Sequence, residues 1–247
     1  MFIKDSLRQL KRLIKPVEKD PIVDADQEFL KLQKKYGSYT MTSKMRLYAL
    51  YQSVHYILDN QIPGDFVECG VWRGGNMMLI ADILNSRNVT DRKIYLYDTF
   101  EGMTEPQEVD VLAGSSFKKT REIWNNTKKT DHSEWCYAGI EEVKQNMLGT
   151  GFPEAQTVYI KGKVEETLDK NFPETIALLR LDTDWYESTK KELAVLYPKL
   201  STNGVLIIDD YGTWEGARKA VDEYFTKHEI LLNRVDHTAR IGVKISN

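Results

Sequence analysis

Short, almost wholly apolar runs alternate with amphipathic stretches along this chain, and that alternation limits its fold more than any other feature. "LLRL" (residues 178–181) and "VLII" (residues 205–208) are too short for core helices and lack a polar face. They read as strands covered on both sides. Strands are expected at "DFVEC", "KIYLYD", "TVYIKGKV", "TIALLRLDTD", "VLIIDD" and "ARIGVKIS". Between them, "NMMLIADILNS", "IEEVKQNMLGTG", "YESTKKELAVLYPKLSTNG" (ending at Asn203-Gly204) and "GARKAVDEYFTKH" have helical spacing. A further helix is expected in "TMTSKMRLYALYQSVHYILDN", capped by Thr42 or Ser43 and stopped before Pro63-Gly64. The expected fold is an α/β domain with a doubly wound, mostly parallel sheet and helices on both faces.

Two regions fall outside this pattern. Residues 1–38 read as an N-terminal amphipathic helical segment ahead of the main domain, residues 39–247. Phe2, Ile3, Leu7, Leu10, Ile14 and Val17 recur at helical spacing, with Arg8, Lys11, Arg12 and Lys15 between them. The stretch lacks the uninterrupted apolar run of a signal peptide or a spanning helix. Packing on its own domain or on a second copy in a homo-oligomer is expected, in preference to contact with an anionic membrane. Residues 105–134 are polar, weakly periodic and read as an insertion or lid.

The 247 residues allow a substantial core, and a formal net charge of −3 offers no basic face for nucleic acid. Cys69 and Cys136 are the two cysteines and form no paired motif. A disulfide framework or structural zinc is not expected, in keeping with a cytoplasmic protein.

Carboxylates collect where strands should end. Glu68, Asp98, Asp182, Asp184, Asp209 and Asp210 all lie at or near carboxyl ends of expected strands, where ligands bind in open α/β sheets. "VECGVWRGGN" opens a helix with Gly70, Gly74 and Gly75, a GxxxGG spacing rather than the dinucleotide GxGxxG. Glu68 would repel a phosphate but meet a cationic amino acid. Asp98, about two dozen residues on, suits ribose hydroxyls. S-adenosylmethionine, cationic and free of phosphate, fits better than a nicotinamide cofactor. A plain turn and a plain helix cap are the competing readings of these residues taken singly.

Asp182 and Asp184, two apart, face the same way on an extended chain, and Asp209 and Asp210 follow the next strand. Four acids on one rim are costly without a counter-charge. A hard divalent cation, Mg²⁺, Mn²⁺ or Ca²⁺, resolves the repulsion, since His55, His132, His228 and His237 show no ligand spacing. One aspartate could then serve as base toward a hydroxyl.

"DFVECGVWRGG", "YLYDTFEGM", "LRLDTDWYEST" and "GVLIIDDYG", in this order, resemble the macrocin O-methyltransferase (TylF-type) family, from about residue 39 to 225. The resemblance implies a class I, Rossmann-like methyltransferase fold and a metal- and S-adenosylmethionine-dependent transfer to a sugar hydroxyl of a glycoside, natural product or polysaccharide precursor. It implies Asp182, Asp209 and Asp210 as metal ligands and Asp184 as general base. Glu68, Gly70 and Asp98 would hold the cofactor, with Val71, Trp72, Thr99 and Asp182 beside them. The family pattern often has glycine where Thr183 stands. Lys163 and Val164 are expected beside the adenine, or else in an ordinary loop. Met41 and Ser43 are expected near the methionine end, unless Ser43 only caps its helix. Trp185 and Tyr186 would wall the acceptor or pack a helix start. A catechol-type phenol acceptor and a non-catalytic, cofactor-binding partner subunit are the alternative readings.

Overall fold

The structure, a computed structural model, describes residues 20–245. The basic amphipathic helix expected near the N-terminus lies largely outside the described residues. Seven strands form one sheet: β1 (Asp65–Cys69), β2 (Ile94–Asp98), β3 (Thr157–Lys161), β4 (Ile176–Leu181), β5 (Leu200–Ile208), β6 (Asn233–Arg234) and β7 (Arg240–Val243). Their spatial order is β3-β2-β1-β4-β5-β7-β6. The first five are parallel, and β7 and β6 close the edge antiparallel. The chain winds outward from β1 through β2 to β3, then restarts on the other side with β4. The crevice at the carboxyl ends of β1 and β4 is therefore the topological switch point, where this architecture binds ligands.

Nine helices are found among the described residues: α1 (Pro21–Ala25), α2 (Gln27–Tyr36), α3 (Lys44–Asp59), α4 (Gly75–Ser86), α5 (Phe117–Thr127), α6 (Ile140–Leu148), α7 (Val164–Thr167), α8 (Tyr186–Leu196) and α9 (Glu215–Phe225). Two apolar layers sandwich the sheet. Phe66, Ile94, Leu96, Leu178, Val205 and Ile207 point into one with α1 to α4 and α6. Val67, Tyr97, Leu179, Leu181, Leu206 and Ile208 point into the other with α7, α8 and α9. This is the period-two alternation of strands covered on both faces. Each fully buried Leu, Ile or Phe contributes roughly 1.5–3 kcal/mol relative to exposure.

Helices α1 and α2, within the segment assigned to residues 1–38, place Val23, Phe29, Leu32 and Tyr36 in the same core as β1. Two features differ from the sequence-based expectation. The α8 helix stops at Leu196, not at Asn203-Gly204, and β5 starts at Leu200. Pro198, inside a 3₁₀ turn, has no N–H to continue an α-helix, and that turn releases the chain into the strand. The region 105–134 contains α5 and is closed at its root, where Ser133 N–H donates to Glu101 O (2.7 Å) and Met103 N–H to Trp135 O (2.9 Å). Gly102, at φ 80°, makes this closure possible: a Cβ there would collide with the Ser133 carbonyl. Among the described residues no helix is long and apolar enough to cross a membrane.

Candidate active site

A cleft of about 330 Å³ opens over the carboxyl ends of the central strands, within the size range of small-molecule sites. Its floor is acidic. Asp182 follows β4, Asp209 and Asp210 follow β5, and one oxygen from each lies within 4.8 Å of the others. Asp209 and Asp210 are buried, whereas the Asp182 side chain keeps 28% exposure toward the cleft. Asp184 stands beside them. Its N–H donates to Asp210 Oδ2 (3.1 Å), and its φ of 67° puts a non-glycine residue in the left-handed region, a strain of roughly 1–3 kcal/mol that only a well-determined surrounding sustains.

Burial raises the proton affinity of Asp182, Asp184 and Asp210, and repulsion from the neighbouring acids adds to it. The Asp184 carboxyl is pushed up to about 7, first by burial, against hydrogen bonds from Asp210 and Trp214. Burial also raises Asp182 and Asp210, opposed in Asp182 by Arg180 and reinforced in Asp210 by Asp184 and Asp209.

Arg180 supplies the charge that partly offsets this crowding. It occupies the apolar run of β4, is 1% exposed, and lies opposite Glu68 of β1 in the strand register. Its Nη1 donates to Glu68 Oε1 (2.6 Å) and Asp182 Oδ2 (2.7 Å), and its Nη2 to Asp209 Oδ1 (2.5 Å). Arg46 of α3 pairs with the second oxygen of Asp209 and, at 3.2 Å, with Asp236. The all-oxygen set of Asp182, Asp209 and Asp210 fits a hard divalent cation by donor chemistry. The two arginines supply only part of the neutralising charge.

One side of the cleft is formed by the β1–α4 turn. Gly70, at φ 82°, packs on the Asp182 carbonyl so tightly that a Cβ would collide with it. Asp182 N–H in turn donates to Cys69 O (2.9 Å). Gly70, Trp72, Asp98, Thr99, Lys163, Val164, Asp182 and Asp184 all line the cleft. Asp98 is heavily engaged by its own chain: Oδ2 accepts from Val71 N–H (2.8 Å) and Trp72 N–H (3.1 Å), and Oδ1 from Phe100 N–H (2.8 Å). Much of the acceptor capacity expected to meet ribose therefore shapes the β1–α4 turn itself.

Three expected residues do not line the cleft. Glu68 lies fully buried beneath it, with Oε1 accepting from Asn76 Nδ2 (2.8 Å) as well as from Arg180, and Oε2 without a partner. Val71 contributes its backbone N–H to Asp98. Ser43 is the N-cap of α3, accepting from Arg46 N–H (3.2 Å) and donating to Asp236 (2.9 Å). Its neighbours Met41 and Thr42 face the cleft instead.

The far wall is aromatic. Trp185, Trp135 and Trp214 meet with ring centroids 4.9–6.0 Å apart, and all three line the cleft. Tyr186 points elsewhere, its hydroxyl donating to Glu223 (2.6 Å). Asp110 ties the lid to this wall, since its Oδ1 caps α8 by accepting from Tyr186 N–H (2.8 Å). The sequence reading missed Arg46, Arg180, Trp135, Trp214 and Asp110. A charged residue inside an otherwise apolar strand was the available sign for Arg180.

The profile of the family described as Macrocin-O-methyltransferase (TylF) matches residues 6–241. The chain belongs to this family. A relative, demethyldecarbamoylnovobiocin O-methyltransferase of Streptomyces niveus, is 36% identical over 196 residues, covering 78% of this chain and 70% of the relative. Mycinamicin III 3''-O-methyltransferase of Micromonospora griseorubida is 31% identical over 193 residues, 78% of this chain and 72% of the relative. Among solved structures, the O-methyltransferase NovP superposes with a TM-score of 0.74 at 32% identity, covering 84% of this chain and 83% of that one. Like the family, this chain is an S-adenosylmethionine-dependent O-methyltransferase.

Proposed function

We propose that the chain uses a divalent cation, Mg²⁺ or Mn²⁺, to methylate a sugar hydroxyl on a glycoside, natural product or polysaccharide precursor. The observation carrying this reading is the convergence of Asp182, Asp209 and Asp210 on one point with Asp184 poised next to them. The name of the mycinamicin relative and that of an 8-demethyl-8-(2,3-dimethoxy-alpha-L-rhamnosyl)-tetracenomycin-C 4'-O-methyltransferase of Streptomyces olivaceus, 33% identical, support a sugar acceptor. So does the tryptophan wall, because indole faces pack well against the C–H surfaces of sugar rings.

Asp182, Asp209 and Asp210 would hold the cation, which when bound makes an acceptor hydroxyl more acidic. The β1–α4 turn, with Gly70 and Trp72, and the Lys163-Val164 corner would hold the S-adenosylmethionine, which supplies the electrophilic methyl group. Asp184, beside the ligands but free of their role, would take the hydroxyl proton as the acceptor oxygen forms its bond to the methyl carbon and the methyl–sulfur bond breaks, its electron pair staying on the sulfur of S-adenosylhomocysteine. The wall of Trp135, Trp185 and Trp214 orients the acceptor and keeps water from competing for the methyl group.

The test is methyl transfer from labelled S-adenosylmethionine to panels of glycosides and catechols, with EDTA and with added Mg²⁺ or Mn²⁺. Loss of turnover in EDTA, its return with the cation and a preference for glycosides are expected. Full turnover in excess EDTA refutes the metal. Preference for catechols refutes the sugar, and bound cofactor with no acceptor in either panel favours a non-catalytic subunit.

A further inference from the structure

Below the loop that carries Asp182 and Asp184 lies a carboxyl group with no role in the chemistry above. Glu192, on the buried face of α8, is fully enclosed. The groups acting on it most strongly are Thr183, Glu165, Asp210 and Cys69, none of them a cation. Its Oε2 has no hydrogen-bond partner. A leucine there would bury apolar surface without the cost of desolvating an acid, so packing does not account for it.

Counting protons does. Ser188 Oγ lies 3.1 Å from the Trp185 carbonyl oxygen and 3.5 Å from that of Thr183. Each hydroxyl has one proton to give, so the network has two arrangements. Thr183 Oγ1 lies 2.9 Å from Ser188 Oγ and 2.9 Å from Glu192 Oε1. If Ser188 donates to Thr183 and Thr183 to Glu192, the acid accepts as an anion that is fully buried, has no cation beside it and leaves Oε2 unpartnered, a costly state. If Ser188 donates to the carbonyls, Thr183 donates to Ser188 and Glu192 supplies the proton of the remaining contact. The second arrangement avoids the buried anion. Burial raises the proton affinity of Glu192 in the same direction.

We propose that Glu192 is a neutral carboxylic acid and a positioning residue for methyl transfer. It starts a one-way relay, Glu192 to Thr183 to Ser188 to the Trp185 carbonyl, that pins the loop between the cation ligand Asp182 and the base Asp184. The proposal rests on the roles given to those two aspartates above. The loop needs such a tie because Asp184 sits in the left-handed region at φ 67°. From above it is held by Asp184 N–H on Asp210 and, within the turn, by Trp185 N–H on Thr183 O (2.8 Å). The relay holds it from below. The Thr183 hydroxyl, where glycine would offer none, is the link that makes the buried acid useful.

The experiment compares Glu192→Gln, Glu192→Met and Thr183→Val with the wild-type enzyme by steady-state kinetics, S-adenosylhomocysteine calorimetry and infrared difference spectroscopy. Glutamine keeps a donor in the same place and should retain kcat within about 3-fold. Methionine at 192 and valine at 183 break the relay and should lower kcat by about 10²-fold, the scale of an ångström-level misplacement. The KM for S-adenosylmethionine and the calorimetric affinity should hold within about 3-fold. The wild-type minus Glu192→Gln spectrum should show the C=O stretch of a neutral acid at pH 7. Carboxylate bands in its place, a Glu192→Gln variant as impaired as Glu192→Met, or a Glu192→Met variant with wild-type kcat would each overturn the proposal. If the wild-type protein methylates no acceptor, the functional reading fails instead. The relay is then judged by the infrared bands and by whether Asp184 keeps its left-handed backbone in crystals of Thr183→Val.

Discussion

Replacing Arg180 by methionine tests how the acidic floor is tolerated. The guanidinium is 1% exposed and sits 2.5–2.7 Å from three carboxylates, of which Glu68 is 0% and Asp209 4% exposed. Methionine fills a similar volume in the apolar strand, so the loss is mainly electrostatic. Stranding one buried charge by removing its partner costs roughly 3–5 kcal/mol. Arg46 still covers Asp209, so the figure is carried chiefly by Glu68. At roughly 2–4 °C per kcal/mol for a chain near this size, the midpoint should fall by about 10 °C. The assay is calorimetric melting in EDTA at pH 7.5 and 5.5, with Glu68→Gln/Arg180→Met alongside. The double variant should recover much of the loss, because it removes the stranded anion. The single variant should lose less at pH 5.5, where a stranded Glu68 binds a proton in the folded state more readily than in the unfolded one. A drop under about 2 °C at both pH values, or a double variant no better than the single, would refute the claim that Arg180 neutralises a buried acid.

Three further outcomes are expected. Asp184→Asn should lower kcat by about 10²–10⁴-fold, the range for losing a general base, while binding of S-adenosylhomocysteine and Mn²⁺ by calorimetry persists; loss of Mn²⁺ binding would make Asp184 a ligand. In EDTA the wild-type protein should melt higher at pH 5.5 than at pH 7.5. Asp184 titrates at about 7 when folded and at about 3.9 unfolded, so between these values the folded state holds more protons and stability falls as pH rises; Asp182 and Asp210 shift in the same direction, and a melting point that climbs over this interval contradicts the assignment. Asp110→Ala removes the cap of α8 and should cost about 1 kcal/mol, read as a lower denaturant midpoint with an unchanged slope; an unchanged midpoint would show that the cap carries no net stability.

The parts of the molecule written in local pattern were legible before the structure. Strands such as residues 205–208 announce themselves by continuous apolarity, and the acids that end them fall at the ligand-binding rim because parallel strands must deliver their carboxyl ends to one side. What escaped depends on partners distant in the chain. Arg180 is intelligible only beside Glu68, 112 positions away, which strand register brings opposite. Asp98 looked free for a ribose, but its backbone partners Val71 and Trp72 come from a different strand's turn. The helix α5 was hidden because a lid element buries little, with Thr120 its one buried residue, and so needs no strong apolar face. Ser43 carried two equally local readings, and the capping geometry separated them.

The lid closes on itself at its root through Glu101, Met103, Ser133 and Trp135, so its two ends leave and rejoin the domain at nearly the same place. A segment attached in this way behaves as a cassette. Around α5, beyond Asp110 and the bonds of Val111 and Ala113 to Glu215 and Thr213, its length and composition can drift without moving β2 or the acidic floor, since the closure entropy of a longer loop grows only slowly. Exchanging residues 114–132 between relatives while keeping Gly102, Asp110 to Ala113 and the residues that join the ends should therefore leave the acidic floor and the methyl-transfer machinery in place.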